Sequence, residues 1–308
     1  MLKQACAALL LLCAAGTLQA DSAFPSTYTP VASTPTLLRG ATVLTGAGQR
    51  LERADILLED GRIAWVGSGD IPPGAREIDA SGRWITPGLI DVHSHLGVYP
   101  SPSVDAHQDG NEMSDPVTAN IWAEHSVWPQ DPGFGKALAG GVTALQILPG
   151  SANLFGGRGV TLKNVYSTSY QSMKFPGAPH GLKMACGENP KRVCGQRNKL
   201  PSTRMGNVAH YRAEWIAAQD YIDRWARYEA QLAAGDEEAT APLRDLKLET
   251  LAGVLQGEII VHMHCYRADE MMTILALAEE FDYRIGTFHH AVEALSLIHI
   301  SEPTRRHL

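Results

Sequence analysis

Cysteine is scarce in this chain of 308 residues, which has five. Cys6 and Cys13 fall within the first 20 residues, and beyond them stand only Cys186, Cys194 and Cys265. Three cysteines are too few to staple a fold. A Cys186–Cys194 bridge is allowed in an oxidising compartment, yet the three read as ordinary buried or loop thiols. Basic charge is also in deficit. With 26 Lys and Arg against 33 Asp and Glu the net charge is -7, and the isoelectric point lies near 5.9. That balance argues against nucleic acid or an anionic membrane surface as the main partner. The apolar run from Ala5 through Ala15 is too short to span a bilayer comfortably. The glycines of Gly150-Ser-Ala-Asn-Leu-Phe-Gly-Gly-Arg-Gly159 lack the Gly-Lys-Ser/Thr ending and strand-loop-helix context of a phosphate cradle.

What is present is enough apolar residue, 44% of the chain, to bury a sizeable core in one large domain or two. Residues 1–20 place Lys3 before the apolar stretch and end in Leu18-Gln19-Ala20, the layout of a secretory signal peptide. Export to a periplasm or beyond is therefore expected. Cys13 lacks the preceding small residues of a lipoprotein signal. At the other end, Leu295 to Arg305 read LSLIHISEPTR, which matches the in-frame translation of a transposase sequencing adapter. The native sequence is expected to stop at or near Ala294, with residues 295–308 a non-native tail, so His299 and His307 are excluded from any site.

Residues 31–87 read as a small β unit. Alternating runs lie at Thr36–Leu44 and Ala54–Gly67, and the second is divided by Asp60-Gly61, a strong hairpin signal. From Gly88 to Ala294 apolar runs alternate with helical stretches, the pattern of a βαβ barrel. Six strands are expected, at Leu89–Val92, Val142–Leu148, Val160–Lys163, Leu182–Ala185, Ile259–Met263 and Tyr283–Phe288. Between the fourth and fifth, Tyr211, Trp215, Ile222, Trp225 and Leu232 recur at helical spacing, an amphipathic helix packed on the barrel rather than an aromatic ligand box. Asp236-Glu237-Glu238 reads as a solvated loop.

The most informative run is Pro87-Gly88-Leu89-Ile90-Asp91-Val92-His93-Ser94-His95. Side chains at i and i+2 of a strand share a side. His93 and His95 can thus both offer a ring nitrogen to one zinc-like cation at roughly 2.0–2.1 Å. The apolar residues before them read as a buried parallel strand. That places the pair at the end of the strand where (β/α)8 barrels carry their chemistry.

The segment RWITPGLIDVHSHLG resembles the first barrel strand of the amidohydrolase superfamily. The Gly187-Glu188-Asn189-Pro190 turn and the Gly150–Val160 loop resemble an imidazolonepropionase-related subgroup. The resemblance implies an α/β fold, a (β/α)8 TIM-like barrel of which strands 1–6 are present, with a partial N-terminal β-sandwich. It also implies one or two divalent ions, zinc above all. The implied ligands are His93, His95, His264 after strand 5, and His290 after strand 6, with the His289/His290 register open. His262 is read as a supporting or core residue rather than a ligand. For a bridging group after strand 4, Lys183, carbamylated, and Glu188 both stand. A lysine carried inward on an apolar strand would otherwise bury an unpaired charge. Asn153 and Arg158 are candidates for substrate contact or for holding their own loop. His107, His125, His180 and His210 are assigned to structure or solvent.

The implied activity is hydrolysis of a C–N bond in a cyclic amide, an N-acyl amino acid or a small dipeptide, by metal-activated water. The partner is a small amide-like molecule, with no nucleic acid, no membrane after signal removal, and a homo-oligomer possible. In the family an aspartate after strand 8 takes the proton of the water. This sequence ends before that strand, so the chain as written is expected to be poorly soluble or inactive while its intact parent is competent. Two alternatives stay open: a non-catalytic exported barrel that binds metal or solute, and a deaminase on the same scaffold.

Overall fold

The structure, a computed structural model, describes residues 24–297. The expected signal peptide and residues 298–308 lie outside the described residues. The first sheet is built on β1 (Thr36–Leu44). Beside it run β2 (Arg50–Glu59) and β3 (Arg62–Gly67), antiparallel, on one edge, and β4 (Arg76–Asp79) and β5 (Trp84–Ile85), parallel, on the other. Asp60 and Gly61 sit at φ 51° and 71°, the two left-handed residues that a tight hairpin turn between β2 and β3 requires. Ala41, Val43, Ala54, Ile56 and Ala80 form the small core of this sheet.

The second sheet holds six strands: β6 (Leu89–Ser94), β7 (Val142–Ile147), β8 (Phe155–Lys163), β9 (Gly181–Ala185), β10 (Ile260–Cys265) and β11 (Ile285–His290). They lie in chain order across the sheet, as an incomplete TIM-like barrel would. Each overlaps the run that the sequence assigns to it. One strand departs from a uniformly parallel barrel. The 148–154 connection is too short for a parallel crossover, which takes a dozen or more residues. β8 therefore returns antiparallel to β7, and β9 is antiparallel to β8. The pairs β6–β7, β9–β10 and β10–β11 are parallel.

Among the described residues five α-helices accompany the second sheet: α1 (Pro132–Ala139), α2 (Glu188–Gly195), α3 (Arg204–Ala233), α4 (Leu246–Leu255) and α5 (Ala268–Glu280). The largest core cluster joins β8, β9 and β10 to α3, α4 and α5. On α3, Tyr211 and Trp215 meet Phe155 edge-on at 5.2 and 5.3 Å between ring centres. The Tyr211 hydroxyl donates to the Ala185 carbonyl, which fixes the C-terminal end of β9. All five residues of β9 are buried.

Two expectations change. The first barrel strand is not buried on both faces: among the described residues β6 pairs only with β7, and Leu89, Ile90 and Val92 are 56%, 67% and 60% exposed. Two of the three cysteines are not ordinary thiols, since Cys186 is bonded to Cys265 across 79 residues. The reason is register. His264 pairs with Ala185, so the next residue of each parallel strand comes side by side. Cys194, on α2, is a free buried thiol.

Candidate metal centre

The barrel mouth gathers six imidazoles around one buried amine. His93 stands at the end of β6, and His95 just beyond it. The Nδ1 of His95 lies 2.8 Å from the Leu148 carbonyl oxygen. A carbonyl can only accept, so Nδ1 carries the proton and Nε2 keeps its lone pair. That lone pair faces His93, whose Nε2 is 3.3 Å away. Two nitrogens bound to one tetrahedral ion at roughly 2.0–2.1 Å stand about 3.3–3.4 Å apart, so the pair is spaced to share a cation.

β10 contributes His262 and His264, two residues apart on one face. His262 is level with Lys183 of β9, and His264 with Ala185 on one side and His289 of β11 on the other. Lys183 is fully buried, and its Nζ donates to the Pro149 carbonyl at 3.0 Å. Burial pulls its amine down to about 7. β11 ends in two consecutive histidines that both reach the site. His289 is 5% exposed, with Nδ1 2.9 Å from His93 Nδ1 and Nε2 3.0 Å from His262 Nδ1. Strand alternation would turn His290 away. Its backbone instead takes the left-handed region, φ 65°, followed by Ala291 at 38°. The His290 ring centre then lies 5.0 Å from that of His93 and 4.6 Å from that of His264. A non-glycine pair held there is strained, as backbone at functional sites often is.

The rings form a donor set for a cation. Burial first, then the neighbouring Lys183 and imidazoles, hold His93, His264 and His289 down to about 3. His262 is lowered to about 4 by burial and Lys183. Near neutral pH the rings are thus uncharged, the form that ligates metal. Asn189 Nδ2 donates to His264 Nε2 at 3.1 Å, so the proton of that ring sits on Nδ1, which is buried without a hydrogen-bond partner. A cation held by His264 through Nε2 would take the place of that amide donor. Among the described residues no trio of His, Cys, Asp or Glu side chains is already arranged around one point as a metal group; the rings contact one another instead. Donor type, protonation and the spacing of His93 and His95 all fit a divalent ion.

The remaining sequence candidates are placed as follows. Glu188 is exposed on the first turn of α2. Its neighbour Asn189, which sequence reasoning passed over, is the one that meets His264. Asn153 is buried, with Nδ2 donating to the carbonyls of Glu112 and Asp115 at 2.6 and 2.7 Å. Arg158 lies over the Trp122 ring at 4.4 Å and donates from Nε to Thr250 Oγ1 at 2.8 Å. Neither is joined to the imidazoles. His107 packs on Trp128, His125 contacts the Tyr170 hydroxyl, His180 the Gly159 carbonyl, and His210 pairs with Glu214. A surface groove of about 640 Å³ between α1 and the residues after β8 is lined by none of the cluster.

No family model matches the chain. The chain is 33% identical over 290 residues to amidohydrolase tasK of Hapsidospora irregularis, an alignment that spans 84% of this chain and 30% of that protein. It is 34% identical over 117 residues to an imidazolonepropionase of Cupriavidus necator, 32% of this chain and 28% of that one. The crystal structure of an amidohydrolase from Thermotoga maritima MSB8 superposes with a TM-score of 0.76 at 36% identity, covering 85% of this chain and 66% of that one. The chain thus spans less than two thirds of the length of each of these relatives.

Proposed function

The chain belongs to the amidohydrolase superfamily, and on that premise we propose that the whole protein is a metal-dependent hydrolase of carbon–nitrogen bonds in small amide-like molecules. The observation that carries this reading is the convergence of His93, His95, His264 and His290 from three strands around the buried Lys183. In this reading His93 and His95 hold a divalent ion through Nε2, and His264 and His290 serve a second position. When bound, the ion, zinc by preference, supplies Lewis acidity that activates water and polarises an amide carbonyl.

The residues of the chain prepare that chemistry. The Leu148 carbonyl fixes the ring of His95 in one tautomer and orientation. Among the described residues Lys183 has a single hydrogen bond, to the Pro149 carbonyl, and no acid partner. Addition of carbon dioxide to its neutral amine forms an N–C bond and releases a proton. The product is an anionic oxygen ligand, whose buried charge a bound divalent ion would offset. Glu188, on the exposed face of α2, is the weaker candidate for that bridge. The Cys186–Cys265 bond suits an oxidising compartment, in keeping with an exported protein.

The test is metal analysis of the purified protein together with assays on cyclic amides, N-acyl amino acids, dipeptides and aminopurine nucleosides. Stoichiometric divalent metal with turnover of an amide is the expected result. Ammonia release from the nucleosides alone would identify a deaminase, and bound metal without turnover of any substrate a binding barrel. A metal-free, inactive whole protein would end the proposal.

A further inference from the structure

We propose that His289 and His262 form a buried imidazole relay that sets the tautomer of His93, making both positioning residues behind the metal centre. The inference rests on the metal-dependent reading above. His289 has both ring nitrogens engaged, Nδ1 at 2.9 Å from His93 Nδ1 and Nε2 at 3.0 Å from His262 Nδ1. A neutral imidazole has one donor and one acceptor nitrogen, so three rings in series have two self-consistent proton orders.

In one order His93 is protonated at Nε2, toward His95, and its lone pair is lost to a shared cation. In the other, His93 donates from Nδ1 to His289 Nδ1. The proton of His289 then sits on Nε2 and is donated to His262 Nδ1, and that of His262 sits on Nε2. Only the second order leaves the Nε2 lone pairs of His93 and His95 both facing the 3.3 Å gap between them. The proton of His95 is held on Nδ1 by a carbonyl. Among the described residues His93 has no carbonyl or carboxylate on its Nδ1, and the imidazole of His289 takes that place.

The sheet is built to seat the last ring. His262 is level with Lys183, one layer below His264. Beside it the chain has Gly181, where an added Cβ would stand 2.6 Å from His262 Cδ2 and 2.8 Å from its Nε2. A side chain at 181 would push the ring out of line with His289 without touching His93 or His95.

The experiment measures Zn2+ affinity of the whole protein by chelator competition, with imidazole tautomers read from long-range 15N–1H spectra. Loaded wild type is expected to show His93 protonated at Nδ1 and His289 at Nε2. H289F and H262F, which keep volume but remove the acceptor, are expected to bind zinc about 10–100-fold more weakly, the usual effect of losing an outer partner of a ligand. G181A should weaken binding in the same direction. H289Q, whose amide oxygen can accept from His93, should retain more affinity than H289F. Melting of the zinc-free variants separates lost folding from lost affinity, and the wild-type spectrum decides the matter if a variant does not fold. Unchanged affinity in folded H289F and H262F, or His93 protonated at Nε2 in the loaded protein, overturns the relay alone. A wild type that binds no zinc overturns the metal-dependent reading and the relay with it.

Discussion

His93 and His289 belong to strands at opposite edges of the six-stranded sheet, yet their Nδ1 atoms are 2.9 Å apart. β6 and β11 therefore curl toward each other at their C-terminal ends. That closure turns six histidines scattered over 198 positions, 93 to 290, into one site.

Lys183 gives the first prediction. A fully buried amine with one carbonyl partner and, among the described residues, no acid opposes folding. K183M, which fills the space without the charge, is expected to melt no lower than wild type when both are metal-free, while its metal content falls. A marked loss of stability with metal content unchanged would show that Lys183 serves packing and not the metal centre.

On the outer side, Lys174 Nζ lies 2.8 Å from Glu124 Oε2 and also donates to the Phe24 carbonyl at 2.6 Å. The contact with Glu124 is ionic, because neither Glu124 oxygen accepts a well-directed hydrogen bond. Removing the cation would strand a carboxylate that is 1% exposed. K174A is expected to lose about 3–5 kcal/mol in urea unfolding, and the pair K174M/E124L to recover most of it. Equal stability of K174A and wild type would refute the assignment.

The Cys186–Cys265 bond closes a loop of 79 residues between neighbouring strands. Loss of such a cross-link typically costs about 2–4 kcal/mol. C186A/C265A should melt lower than wild type, and reductant should lower the wild type but not the variant. Insensitivity of both to reductant would show that the bond does not form.

His180 provides a pH test away from the metal centre. Burial is the main cause that holds its pKa below 6.5, against the attraction of Glu124. A depressed histidine means that the unfolded chain binds its proton first as pH falls. Stability from this group is thus present above pH 6.5 and lost below it. H180Q lacks that loss, so the stability gap between wild type and H180Q should shift against the wild type from pH 7 to pH 5.5. A gap constant across that range would contradict the assignment.

Much of this was legible in the residues themselves. The Asp60-Gly61 hairpin followed from turn chemistry, and the six barrel strands from apolar runs bounded by polar ones. The long helix α3 followed from the spacing of Tyr211 and Trp215. His93 and His95 were marked as a pair because a strand repeats every two residues. These are local properties, set by neighbours within a few positions.

The rest depended on groups distant in sequence. Cys186 faces Cys265, and not Cys194, because β9 and β10 pair in a particular register. Asn189 meets His264 while the charged Glu188 points to solvent, a choice made by how α2 leaves β9. Both His289 and His290 reach the site because a left-handed backbone overrides strand alternation, which no pattern of residue types announces. The sequence alone determined which side chains could do this chemistry and on which strands they ride. The tertiary structure decided which nitrogens face one another, because that depends on register, curvature and the backbone angles at the strand ends.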